Sequence, residues 1–155
     1  MNHHAITVRH NFETAHRLPH LGGKCTSLHG HSWWAEVRVE GPALTGDGTV
    51  VEFGAFKRGL RQWLDAHLDH GAMLGVEDPL CEALRAQGSK VCVFGAATPD
   101  GVDLGDLAWP TVENVAIAVA RVATTVLCRL DAGEGSTVAS VRIDETHVNS
   151  AEWTA

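Results

Sequence analysis

The residues whose types and spacing can do chemistry are concentrated in one run, FETAHRLPHLGGKCTSLHGHSWW, which holds His16, Cys25, His29 and His31. His29 and His31 are two apart and lead into the alternating, strand-like WWAEVRVE. In a strand, residues i and i+2 project to the same face, so both imidazoles point one way and Gly30 the other. His16 ends an earlier apolar stretch, ITVRHNFETAH. If the two stretches pair as a hairpin, a third imidazole comes to the same point. Three neutral nitrogen ligands and no fourth protein ligand describe a catalytic zinc site with an open position. Cys25 is then either a fourth ligand or the reacting group beside the metal. A cupin-type iron or manganese site also uses His-x-His, but wants a carboxylate and a further histidine at its own spacing, and no such arrangement is clear here. His3, His4, His10 and His20 read as plain surface residues.

The elements that must position these groups follow from the hydrophobic pattern. Residues 5–16 alternate as a strand, with Ile6, Val8, His10 and Phe12 on one side. A loop over 19–24, containing Gly22-Gly23, delivers Cys25 ahead of a second strand over 30–40, which Gly41-Pro42 ends. Phe53, Phe56, Leu60, Trp63, Leu64 and Leu68 have helical spacing and predict a helix over 53–67, against which Gly54 and Gly59 count slightly. From Gly71 to Trp109 the pattern is broken. DPLCEALRAQG reads as a short helix capped by Asp78, with Pro79 at its first position and Gly88 as its stop. KVCVF reads as a short strand and the rest as loop. Pro110–Leu130 predicts a second long helix, with Thr111 as cap and Val115, Val119, Val122, Val126 and Leu130 on one face. STVASVRIDET is a final strand. The pattern is that of an α+β domain, antiparallel strands with helices on one face.

A chain of 155 residues fits one domain with a real core. A formal net charge of −7 speaks against nucleic acid as a partner, because such binders carry a basic footprint. It does not exclude an anionic small molecule. No apolar run reaches membrane-spanning length, and MNHHAITVRH lacks the apolar core of a signal peptide. Cys25, Cys81, Cys92 and Cys128 form no Cys-x-x-Cys pair, as suits reduced thiols in the cytoplasm.

Two further groups carry possible chemistry. Asp69 and His70 adjoin at the end of the first long helix. They form either a charged surface turn or a general acid/base unit in which the carboxylate tunes the imidazole. Glu145, in RIDET, is either solvated at a strand end or sits at a pocket mouth. There it would accept two parallel hydrogen bonds from the guanidine-like edge of a purine or pterin.

In this order, FETAHRL, CTSLHGH, GTVVEFGAFK, LDH, PTVEN and RIDET resemble the signature set of the 6-pyruvoyltetrahydropterin synthase family. The Cys-x-x-x-His-Gly-His run is most similar to the bacterial 6-carboxytetrahydropterin synthase branch. The resemblance covers nearly the whole chain (residues 1–155, one domain) except an insertion at about 75–108. It implies zinc ligands at His16, His29 and His31, a catalytic Cys25, a catalytic Asp69–His70 pair and a pterin-anchoring Glu145. Thr111 and Glu113 would help hold the ring, and Lys24 and Arg17 would counter a triphosphate.

The implied fold is the tunnelling fold, a four-stranded antiparallel sheet with two long helices on one face. Three subunits join sheets into a barrel, two trimers stack as a homohexamer, and active sites lie between subunits, with Trp33, Trp34 or the valine-rich helix available for assembly. The implied reaction takes 7,8-dihydroneopterin triphosphate to 6-carboxy-5,6,7,8-tetrahydropterin, acetaldehyde and triphosphate, as in 7-deazaguanine biosynthesis. Retention of the side chain, giving 6-pyruvoyltetrahydropterin, is the near alternative. A dihydroneopterin-aldolase-like lyase and a non-catalytic zinc-binding assembly protein are the others. Two departures stand out. Glu52 replaces a usual aspartate, and the 75–108 insertion is free to cover the pocket, change the accepted side chain or decorate the surface.

Overall fold

The computed structural model describes residues 2–155. Strand β1 (His4–His16) pairs antiparallel with β2 (His29–Gly41) along its whole length, from His4 opposite Gly41 to His16 opposite His29. Period-2 alternation puts Val8, Phe12, Trp33, Ala35, Val37 and Val39 on the buried face and the charged residues between them on the open one. Trp33, fully buried, lies parallel to Phe12 at 6.0 Å and donates its indole N–H to the Thr14 carbonyl at 3.0 Å. Trp34 points the other way, 42% exposed, with the Arg9 guanidinium over its ring.

Helix α1 (Phe53–His67) has the predicted limits. Glu52 caps it, both carboxylate oxygens accepting backbone N–H bonds, from Gly54 and Ala55, at 2.7 Å. These bonds hold the Glu52 carboxyl below its ordinary value. The chain thus uses glutamate as a helix cap where an aspartate was the expected residue. Phe56, Leu60, Trp63 and Leu64 are buried, but Phe53 is 55% exposed and does not belong to the packed face.

Three further elements lie between α1 and the second long helix: β3 (Gly71–Gly75), the short α2 (Leu80–Ala86) and β4 (Val91–Phe94). That long helix, α3 (Val112–Leu127), is capped by Thr111, whose hydroxyl accepts from the Asn114 N–H at 3.2 Å. It crosses α1 where Gly59 leaves room for Val126; a Cβ on Gly59 would come within 2.5 Å of it. α1 and α3 pack on the same sheet face, sharing one core with β1, β2 and β5 (Thr137–Asp144). Among the described residues, no helix is long and apolar enough to cross a membrane.

The expected four-stranded antiparallel sheet is corrected to six strands of mixed direction, ordered β4-β3-β1-β2-β5-β6. β3 runs parallel to the end of β1, and β4 runs parallel to β3. A parallel pair needs a crossover, and α2 supplies it. Met73, Cys92 and Phe94 join the main core, whereas Ala72, Leu74, Val91 and Val93 pack with Cys81 and Leu84 of α2 in a second, smaller core. β3, buried almost throughout, shows no alternation, so GAMLG carries no strand signature in sequence. At the opposite edge, β5 turns back as an unpredicted hairpin into β6 (Ser150–Thr154). α2 begins one residue later than predicted. Asp78 still accepts the Leu80 N–H at 2.9 Å, but its carboxylate is mainly engaged by Arg17.

Replacing Trp33 removes both the ring that fills the sheet end and a donor to a buried carbonyl. Trp33→Ala is expected to lower the unfolding free energy by about 3–5 kcal/mol, read from urea denaturation of the metal-free protein.

Candidate metal centre and its surroundings

The β1–β2 register sets His16 beside His29, and period-2 alternation adds His31 on the same face. Ring centroids are 4.7 Å (His16–His29), 5.0 Å (His29–His31) and 5.3 Å (His16–His31) apart. One nitrogen from each ring lies within 4.8 Å of the others. Trp33 stands edge-on beneath His16 and His31, at 4.9 and 5.4 Å.

Backbone carbonyls orient two of the rings. His16 Nδ1 donates to the Pro110 carbonyl at 2.9 Å, and His29 Nδ1 donates to the Ser27 carbonyl at 2.7 Å. A carbonyl can only accept, so the neutral rings keep an electron pair at Nε2. His16 Nε2 and His31 Nε2 are buried and have no hydrogen-bond partner. Glu145 Oε1 lies 3.2 Å from the first and 3.6 Å from the second. Ring nitrogens brought this close, two of them buried and unpartnered, fit a bound cation, and the nitrogen set with carbonyls behind His16 and His29 fits zinc chemistry. Burial is the main effect lowering the basicity of His16 and of His31. For His16 the Pro110 carbonyl and Glu145 oppose it, and His29 and His31 reinforce it.

The other sequence candidates are placed as follows. Cys25 is half-buried in the loop before β2 and is not a member of the histidine cluster. Asp69 accepts from the Glu13 N–H at 2.8 Å and from His70 Nδ1 at 2.7 Å. Burial opposes ionisation of Asp69, but the Glu13 amide, His70 and Lys90 outweigh it and hold the carboxyl below its ordinary value. His70 has φ +56° and an 81% exposed side chain. Within one chain this pair bonds to β1 and makes no hydrogen bond to Cys25 or to the triad among the described residues. Thr111 is engaged as the α3 cap, and Glu113 and Lys24 are exposed.

Arg17, expected beside a triphosphate, is bound by Asp78 through both Nε (2.7 Å) and Nη2 (2.5 Å). Two arginines not singled out in the sequence, Arg9 and Arg142, instead line a cleft of about 600 Å³ with His31, Trp34 and Glu145. Their signal lay in the alternation, because the face opposite Val8 and Val141 is the open one. Backbone acceptors such as Pro110 and Ser27 left no side-chain signal at all.

Proton competition at His16 and His31 is weakened by burial, since both rings resist protonation relative to the ordinary value of 6.5. The loss of cobalt(II) affinity that comes from protonating these two rings, followed by visible absorbance, should therefore fall below that value; in His16→Ala or His31→Ala the acid-side loss should change its midpoint, and an unchanged midpoint in both would contradict the arrangement.

Comparison with known proteins places these features in a family. The 6-pyruvoyl tetrahydropterin synthase profile matches residues 5–155. A 6-carboxy-5,6,7,8-tetrahydropterin synthase of Synechocystis is 43% identical over 83 residues, 49% of this chain and 64% of that protein. A probable enzyme of the same name from Halobacterium salinarum is 32% identical over 115 residues, 68% of this chain and 73% of that one. A Rickettsia typhi relative is matched over 52% of its length, so this chain spans about half to two thirds of the first relatives it matches. Among solved structures, Caenorhabditis elegans 6-pyruvoyl tetrahydropterin synthase superposes with a TM-score of 0.67 at 21% identity, covering 100% of this chain and 97% of that one. An uncharacterised Wolinella succinogenes protein reaches 0.71 at 21% identity, covering 99% of both. These two likenesses concern the fold. The profile runs through the triad, the Asp69–His70 turn and Glu145 alike, and on that ground the chain belongs to the 6-pyruvoyl tetrahydropterin synthase family.

Proposed function

We propose that the protein is a zinc-dependent lyase that converts 7,8-dihydroneopterin triphosphate to 6-carboxy-5,6,7,8-tetrahydropterin, acetaldehyde and triphosphate. The observation that carries this reading is the convergence of His16, His29 and His31, two of whose Nε2 atoms are buried and unpartnered, with Cys25 on the loop that joins their two strands. The names of the Synechocystis and Halobacterium relatives favour the carboxy product over the pyruvoyl one. We read residues 1–155 as one domain of this family with an insertion at about 75–108.

His16, His29 and His31 would hold zinc through Nε2, and zinc when bound supplies Lewis-acid polarisation of the substrate's side-chain hydroxyls. Cys25 is the candidate base for a side-chain proton, and as a thiolate it would be the reactive form. Asp69 fixes His70 by accepting from Nδ1, which leaves Nε2 to carry a proton to or from the substrate. Glu145 would take the 2-amino and N3–H edge of the pterin in paired hydrogen bonds. Thr111 and Glu113 remain family-based candidates beside the ring. Arg9 and Arg142, on the cleft that His31 and Glu145 share, are exposed candidates for the triphosphate although both pair with Asp144, whereas Arg17 is held by the buried Asp78; Lys24 is a further candidate.

Because the His70 side chain is largely exposed and makes no hydrogen bond to Cys25, the complete site calls for a neighbouring subunit. The edge of β1 beyond its three-residue pairing with β3, and the outer edge of β6, are unpaired within the chain. Head-to-tail joining of these edges would be a heterologous contact, which forms a ring when the rotation between subunits closes, as in the trimer, and hexamer of two trimers, proposed here. Four free thiols suit a reducing cytoplasm.

The zinc-loaded protein, incubated with 7,8-dihydroneopterin triphosphate, is expected to yield carboxytetrahydropterin together with acetaldehyde, trapped as its hydrazone and identified by mass spectrometry. Pyruvoyltetrahydropterin without acetaldehyde would replace this reading with the side-chain-retaining one. Cys25→Ala should abolish turnover and leave the zinc content unchanged; loss of zinc in that variant would make Cys25 a ligand instead.

A further inference from the structure

The loop from Arg17 to Leu28, which carries Cys25, has little of its own to define its shape. It consists of two single 3₁₀ turns, Pro19–Leu21 and Gly23–Thr26, neither with a side-chain cap. Gly22 between them and Gly23 at the start of the second have φ of +71° and +63°, a region open to glycine at low cost. Leu18 is buried, but Leu21 and Leu28 are exposed, so the loop buries little apolar surface. Its ends are tied by one backbone bond, Leu18 N–H to the Cys25 carbonyl at 2.7 Å. A loop with so few internal contacts opens at small free-energy cost unless something outside holds it.

Both ends of the 76–109 segment reach this loop. At the first end, the Asp78 side chain is fully buried and takes Arg17 in a two-point grip, next in sequence to His16. Paired bonds of this kind fix direction as well as distance. At the second end, the Trp109 ring stacks on His20 at 4.7 Å with 15° between planes. Trp109 is seated over Gly75, where a Cβ would come within 2.6 Å of the ring. The next residue, Pro110, gives its carbonyl to His16. The segment is itself anchored, through β3 and β4 in the sheet and α2 in the smaller core. Its connection to the loop is therefore a connection to the sheet and the smaller core.

We infer that the 76–109 segment is the positioning element of the Cys25 loop, acting through Asp78 on Arg17 and through Trp109 on His20. The inference rests on the proposed role of Cys25, and it makes Asp78 and Trp109 positioning residues that touch no substrate. Neither surface decoration nor a cover over the pocket requires these two contacts.

The test uses the full-length, zinc-loaded protein and the variants Trp109→Ala, Trp109→Phe and Asp78→Asn, with hydrogen exchange followed by peptide. In Trp109→Ala and Asp78→Asn, exchange in residues 18–28 should rise about tenfold or more, with protection in α1, α3 and β4 kept. Zinc content should not change. Turnover of dihydroneopterin triphosphate should lose on the order of tenfold to a hundredfold in kcat with little change in KM, as for a reacting group held out of place. Trp109→Phe, which keeps a stacking ring, should restore both readouts towards wild type. Unchanged exchange in 18–28 in both disruptive variants would overturn the inference. So would a rise spread evenly over α1, α3 and β4, which marks general loss of stability. If the wild-type protein turns over no pterin triphosphate, the proposed function fails, while the exchange result still decides whether the segment holds the loop.

Discussion

The antiparallel register of β1 and β2 is the constraint from which the rest of the centre follows. With His16 opposite His29, alternation places His31 beside them and Trp33 beneath, all on the face that packs against α1 and α3. A slip of one residue would send each of these side chains to the opposite face. Burial of Val8, Phe12, Trp33, Val37 and Val39 on that face resists such a slip. The same contacts that stabilise the sheet therefore determine where three imidazoles meet. The histidines do not have to secure their own position.

What the core provides in rigidity it charges in solvation. Taking His16 into the interior disfavours its protonated form, and a buried ring must still satisfy both nitrogens. The Pro110 carbonyl satisfies one and fixes the tautomer, leaving Nε2 directed at the other two rings and at Glu145. Pro110 lies at the start of α3 and Ser27 in the loop before β2, so the orientation of the rings depends on elements well beyond the two strands that carry them.

Much of this was legible in the chain. The limits of α1, the pairing of the first two strands and the meeting of His16, His29 and His31 follow from apolar spacing and from a Cys-x-x-x-His-Gly-His run. The two parallel strands were not legible as a sheet extension. KVCVF reads as a short strand and is β4, but GAMLG is buried almost throughout, which erases the alternation by which a strand declares itself and hid the strand that ties β4 into the sheet. Nor was the engagement of Arg17 legible, since a basic residue beside a candidate site is equally available to substrate or to a buried carboxylate until Asp78 is brought alongside it.

The division has a physical basis. Sequence by itself determined the features set by local period: which residues share a strand face, which helices are amphipathic, and which side chains offer electron pairs at close spacing. Only the tertiary structure decided what those side chains are bound to. It placed Glu145 against the histidines, bonded the Asp69–His70 turn to β1, and joined both ends of the 76–109 segment to the Cys25 loop. Such contacts join residues tens of positions apart and depend on how whole elements pack, an outcome of burial summed over the core that no local spacing encodes.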